Sequence, residues 1–154
     1  MKILMYIHSA TGHTMQVAQL LEEKYKKQGH KVEIKSIVAL NDREENPDNI
    51  KLIQRPPLEE ADIYIFAAPV RGFQLSPVMR AYLAWLPSLK DRQIYCFVTQ
   101  FFPFKSMGGT NALKQFVGIL ESKKAQMKGH IDINWSVSKK RQRLINEILD
   151  EFII

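Results

Sequence analysis

The sequence predicts an α/β protein, a parallel sheet with helices packed on both faces. Three observations carry this. Short runs of strand formers alternate with stretches of helical periodicity along the chain, and that alternation reads as a parallel sheet covered on two sides. The runs at 63–67 and 94–98 are almost wholly apolar, as strands buried on both faces are. Polar segments rich in Gly, Pro, Ser or Thr, at 9–14, 68–77 and 99–109, each follow a strand. In a parallel sheet all three would open at the carboxyl edge.

The first strand spans 2–7, where Ile3, Leu4, Tyr6 and Ile7 cluster. Ser9-Ala10-Thr11-Gly12-His13-Thr14 interrupts it. Met15, Ala18, Leu21 and Tyr25 then recur at three- and four-residue steps, so a helix should run from Thr14 to about Gln28. Gly29 stops it, with Lys26 and Lys27 in the last turn. The second strand, Lys31 to Ile37, alternates apolar and charged residues as an edge strand does. Residues 38–57 carry no strong pattern and read as loop, with room for one helical turn.

The third strand is Ile63 to Ala67. After the loop 68–77, Ser76 caps a helix and Pro77 occupies its first position. That helix carries Val78, Met79, Tyr82, Leu83 and Leu86 and stops at Pro87. The fourth strand, Gln93 to Val98, should be central. A helix capped by Thr110 or Asn111 follows, with Leu113, Phe116, Val117 and Leu120 on its apolar face. The fifth strand is Gly129 to Trp135. The last helix starts after Ser136 or Ser138.

At 154 residues the chain fits one domain and can close a core without disulfides or metals. Its 45% hydrophobic and 25% charged content is globular. The single cysteine, Cys96, lies in an apolar run and reads as core filler. That usage suits a reducing, cytoplasmic compartment. No apolar stretch is long enough for a transmembrane segment. The formal net charge of +6 favours anionic ligands or partners without naming one. No RNA-recognition signature or other specific nucleic-acid site appears. His8, His13, His30 and His130 lack metal-ligand spacing, and Ser9 lacks a nucleophile-elbow context.

The first loop has the form of a phosphate cradle. A strand, a tight polar turn and a helix N-terminus aim backbone amides and the helix dipole at one small volume. Ser9, Thr11 and Thr14 add hydroxyls, and Gly12 permits the turn. No lysine stands in it as a P-loop needs, and its single glycine does not make a dinucleotide fingerprint. An ordinary β–α turn with a Ser/Thr cap fits the same residues.

Ser9 to Thr14 resembles the FMN phosphate loop of flavodoxins, with Ala10 where a hydroxyl residue is usual. Ala68-Pro69-Val70-Arg71-Gly72-Phe73, followed by Ser76-Pro77-Val78-Met79-Arg80, resembles the ring-flanking segment of flavodoxin-like reductases. The resemblance implies a flavodoxin-like three-layer sandwich, five parallel strands in the order 2-1-3-4-5, and FMN at the switch point between strands 1 and 3. It implies phosphate contacts from Ser9, Ala10, Thr11, Gly12, His13 and Thr14. Pro69, Val70, Arg71, Gly72 and Phe73 would flank the ring. Thr99, Gln100, Phe101, Phe102, Phe104, Gly108 and Gly109 would form a second wall, one of its aromatics stacking on the flavin.

The third loop departs from the flavodoxin pattern: it carries Lys105 and no acid from 99 to 109. Coulomb reasoning then argues against a simple low-potential shuttle. Two versions follow. One is a reductase taking electrons from NAD(P)H, or from a partner, to quinone-type acceptors. The other is an electron carrier for an acidic redox partner. Any pyridine nucleotide would dock over the flavin, an arrangement that relatives often complete by forming a homo-oligomer. The rival class is a cofactor-free regulatory or interaction domain of the same fold that binds an acidic partner. A phosphate-ester enzyme is a lesser reading, without a defensible nucleophile or metal-binding aspartate pair.

Overall fold

The computed structural model describes residues 1–101, 109–134 and 138–152. Its elements are β1 (Lys2–Ile7), α1 (His13–Lys27), β2 (Lys31–Ser36), β3 (Val38–Ala39), β4 (Leu52–Gln54), β5 (Ile63–Arg71), β6 (Gln74–Leu75), α2 (Pro77–Trp85), β7 (Gln93–Gln100), α3 (Gly109–Ser122), β8 (Gln126–Asn134) and α4 (Ser138–Glu151). The main sheet runs β2-β1-β5-β7-β8 with every neighbour parallel. This is the flavodoxin-type order expected from the five main strands.

The alternation of β1 builds the two cores. Leu4 and Tyr6 face one way and join Tyr82, Leu83, Phe116 and Leu120 from α2 and α3. Ile3, Met5 and Ile7 face the other way and join Val17, Leu21, Ile145 and Ile148 from α1 and α4. Each fully buried side chain of this kind contributes about 1.5–3 kcal/mol by leaving water. β1, β5 and β7 are covered on both faces, which is why their sequences read as nearly continuous apolar runs. Val32 is the one buried side chain of β2, as its edge position requires.

The structure changes several expected boundaries. β5 continues through Pro69 to Arg71 and turns back into β6, where the sequence suggested a loop. Pro69, which has no N–H to donate, lies past Ala67, where the pairing with β1 ends, and its carbonyl accepts from Ser76 N–H at 3.1 Å. β7 runs two residues further, to Gln100. β8 begins at Gln126 and not at Gly129. The patternless stretch holds a short antiparallel β3–β4 pair and a 3₁₀ turn at Pro47–Asn49. α3 begins at Gly109, before the expected Thr110 or Asn111 cap. Ser76 does cap α2, its hydroxyl accepting from Met79 N–H at 3.2 Å, with Pro77 following.

Candidate functional site

Where β1 ends, the chain folds over the helix start without a conventional cap. Gly12 precedes α1 at φ +93° and offers no side-chain hydrogen bond to it. An L-residue rarely adopts that backbone, although nothing stands within 4 Å of where a Cβ would go. Ser9 acts instead. Its Oγ accepts from the amides of Gly12 at 3.2 Å and Met15 at 3.3 Å. The serine proton is then left to point elsewhere. Thr11 is exposed, and its hydroxyl meets His13 Nδ1 at 3.2 Å. The His13 ring lies 4.7 Å from that of Phe101 and so links the first loop to the third.

Thr14 is different from its neighbours. It is buried, and its hydroxyl pairs with that of Thr99 at 2.8 Å. Its side chain braces the scaffold under the loop.

The second segment is a hairpin. Gly72 at φ +56° and Phe73 at φ +61° form its two-residue turn, with Arg71 opposite Gln74. Two successive positive φ angles match the twist of a tight hairpin. For a residue as bulky as phenylalanine this backbone is an outlier. The Phe73 ring is half exposed, and Asn111 Nδ2–H donates to its carbonyl at 3.0 Å.

At the end of β7, Gln100 is buried and donates from Nε2 to Asp132 Oδ2 at 3.1 Å. Its Oε1 has no hydrogen-bond partner among the described residues. Phe102, Phe104 and Gly108 lie outside the described residues, and Gly109 opens α3.

These three segments converge. Ala10, Thr11 and His13, then Pro69, Val70 and Arg71, then Thr99, Gln100 and Phe101 line one cavity of about 130 Å³. Ligand pockets usually span about 300–1,000 Å³, so this cavity is small beside them. A larger cavity, about 640 Å³, flanks β8 between α3 and α4, among Leu113, Val117, Ile131 and Glu147. No residue of the three segments lines it, so its volume does not make it the site. Among the described residues no cluster of His, Cys, Asp and Glu is arranged to hold a metal ion. No described helix is long and apolar enough to cross a membrane.

Sequence reading missed a polar cluster beneath the hairpin. His8 is buried, with Nδ1 at 2.9 Å from Ser76 Oγ and Nε2 at 2.7 Å from Asp42 Oδ1. Arg71 donates from one terminal nitrogen to the Asp42 backbone carbonyl and from the other to Asp42 Oδ2 at 3.0 Å. Burial pushes the His8 imidazole below its ordinary pKa, against the pull of Asp42. Burial pushes the Asp42 carboxyl up, but hydrogen bonds from His8 and Arg71 outweigh it and hold the carboxyl below its ordinary value. The acid-free third loop therefore does not make an acid-free site: Asp42 stands beside Arg71. Only the placement of His8 directly before the loop hinted at this.

The sheet order and the helices on its two faces define a flavodoxin-type α/β fold. The model of the NADPH-dependent FMN reductase family matches residues 1–129, and the chain belongs to that family. At family level this is an FMN-dependent redox function. Flavodoxin 1 from Bacillus cereus superposes with a TM-score of 0.72 at 14% identity, covering 99% of this chain and 97% of that one. The flavodoxin of Streptococcus pneumoniae TIGR4 gives 0.68 at 16% identity, with 98% and 97% covered. The Trp repressor binding protein of Bacillus subtilis gives 0.68 at 14% identity, with 100% and 99% covered. No curated protein matches by sequence.

Proposed function

We propose that this chain binds FMN where the three segments converge and uses it as an NAD(P)H-dependent reductase of small acceptors. The observation that carries the reading is the shared cavity, lined from all three strand ends at the switch point between β1 and β5. The residues present fit the group in three ways. The loop before α1 sets the hydroxyls of Ser9 and Thr11 around a helix N-terminus, where an anion is favoured. Phe73, in the turn just past the cavity wall, carries a half-exposed ring that would be available to a flat ligand. The buried Gln100 Oε1 lacks a donor among the described residues and would accept one from a ring N–H.

Ser9 and Thr11 would hold the phosphate through their hydroxyl protons, with the amides of the loop. Thr14 and Thr99 hold the floor rigid from below. Pro69, Val70 and Arg71 form one wall, and Gln100 and Phe101 the other. A bound flavin supplies the hydride and electron chemistry. The protein's part is to fix the ring, exclude water and set the surrounding charge. Because Asp42 compensates Arg71, the wall of described residues carries no strong excess of acid, unlike the strongly acidic setting of flavodoxins. A reductase reading follows from this and from the family better than a low-potential shuttle does.

The test is a titration of purified protein with FMN, followed by stopped-flow mixing with NADPH and NADH. Saturable one-to-one binding and bleaching of flavin absorbance within the turnover time are expected. Absence of FMN binding would overturn the cofactor assignment. Tight binding without reduction by either nucleotide would overturn the reductase in favour of a carrier.

A further inference from the structure

The cluster beneath the hairpin is wired in one direction. Met79 N–H donates to Ser76 Oγ. Because that oxygen already serves the cap, its own proton is free to go to His8 Nδ1. A neutral imidazole accepting at Nδ1 must carry its proton at Nε2, and Nε2 faces Asp42 Oδ1. The depressed pKa of the buried His8 agrees with this neutral tautomer. The second Asp42 oxygen and the backbone carbonyl are then left for the guanidinium of Arg71. Four separate segments meet here: the end of β1, the β3–β4 connection, the β5 hairpin and the start of α2. At their far end stands a cation on the cavity wall.

We propose that Asp42 is a positioning residue for the flavin site: it restrains and neutralises Arg71 at the cavity, and His8, locked by Ser76, holds the carboxylate in place to do so. This rests on the reading that the flavin ring lies against the 69–73 wall. Asp42 and Arg71 are side chains of partial exposure, 37% and 27%. The pair therefore sits at the rim, where the guanidinium can leave the carboxylate for a more negative ligand at modest cost. A ligand that gains electrons competes with Asp42 for Arg71, so Asp42 limits how strongly the site favours the reduced form. The residue acts through Arg71 and needs no contact with the ligand.

The experiment is a cycle of wild type, Asp42→Asn, Arg71→Gln and the double variant. Each is loaded with FMN, and its two-electron midpoint potential is measured against a reference dye. Asp42→Asn should raise the preference for reduced over oxidised FMN about tenfold, about 30 mV upward. In the Arg71→Gln background the same replacement should change the preference less than about threefold, because its route is gone. An equal shift in both backgrounds, or no shift in either, would overturn the proposal.

A second readout needs no cofactor. Imidazole ¹⁵N spectra of the apo protein should show His8 neutral with its proton on Nε2, and Asp42→Asn should move that signal. A His8 protonated at neutral pH, or carrying its proton on Nδ1, would also overturn the proposal. A wild type that shows the expected apo spectrum yet binds no FMN would overturn the cofactor reading and leave the clasp itself standing.

Discussion

Thr14 and Thr99 meet hydroxyl to hydroxyl at 2.8 Å, joining the first turn of α1 to the end of β7. Both are buried, so neither hydroxyl can turn to water if its partner is lost. Thr14→Val should therefore cost about 1–3 kcal/mol of stability, the usual penalty for stranding a buried polar group. Thr14→Val/Thr99→Val should recover part of it, because an apolar pair strands nothing. Urea denaturation of the four proteins checks this. A double variant as unstable as the sum of the singles would show that the two hydroxyls are not partners.

The exposed Thr11 makes the opposite prediction. Among the described residues its hydroxyl bonds to His13, so Thr11→Val should leave stability within about 0.5 kcal/mol. If it serves the phosphate, FMN should lose about 1.5–3 kcal/mol of affinity, the worth of a hydrogen bond to a charged group. Riboflavin, which has no phosphate, should lose almost nothing. Fluorescence titrations with both flavins separate the outcomes, and equal losses would remove Thr11 from the phosphate site.

These residues show what was legible in the chain and what was not. Ser76-Pro77 announced the start of α2 because capping is a contact between neighbours in sequence. The runs around Ile65 and Phe97 announced central strands because burial on both faces leaves nowhere for charge. The strand order came from resemblance, and the parallel pairing agrees with it. Ser9, Thr11 and Thr14 looked alike in sequence, yet one caps amides, one is exposed and one is buried. Which way a hydroxyl turns depends on what lies 85 residues away. Asp42 was invisible for the same reason. It lies in a polar run that any surface loop could carry, and its partners are 34 and 29 residues distant. The β3–β4 pair is too short for any periodicity to register.

Acid should loosen the fold through His8. Its pKa in the folded protein lies below the ordinary 6.5, so between those two values the unfolded chain binds a proton that the native state refuses. Stability then rises with pH through this window and falls on acidification below about 6.5, with a slope of at most about 1.4 kcal/mol per pH unit. Asp42 is also held below its ordinary value, 3.8. Its contribution is therefore complete above that value and is lost only at more acid pH, as the carboxylate protonates in the folded protein. Urea midpoints between pH 5 and 8 should slope upward in wild type and less steeply in His8→Gln. Matching slopes would mean that other groups carry the effect.

Phe73 sits where a small residue would be more comfortable. Its backbone at φ +61° disfavours a bulky side chain, and its ring is half in solvent. Phe73→Asn should stabilise the apo protein by about 1 kcal/mol, since asparagine tolerates the left-handed turn. If the ring serves the flavin, the same change should weaken both FMN and riboflavin by about 0.5–1.5 kcal/mol, the range for an aromatic contact. A thermal melt and a flavin titration together read this trade. A gain in stability with unchanged flavin affinity would leave the strain without a functional cause.

Gln100 tests the other wall. It lines the cavity, is 3% exposed, and its Oε1 lacks a donor among the described residues. Gln100→Leu keeps the bulk but removes that acceptor, along with the Nε2–H that reaches Asp132. Two effects follow. Stability should fall by about 1.5–3 kcal/mol for the lost hydrogen bond to a carboxylate. FMN and riboflavin should weaken together, because the acceptor would serve the ring and not the phosphate. Setting Gln100→Leu beside Thr11→Val in the two titrations assigns an end of the ligand to each wall. A Gln100→Leu variant that loses FMN but keeps riboflavin would reverse the proposed orientation, placing the phosphate at the end of β7 and the ring over the first loop.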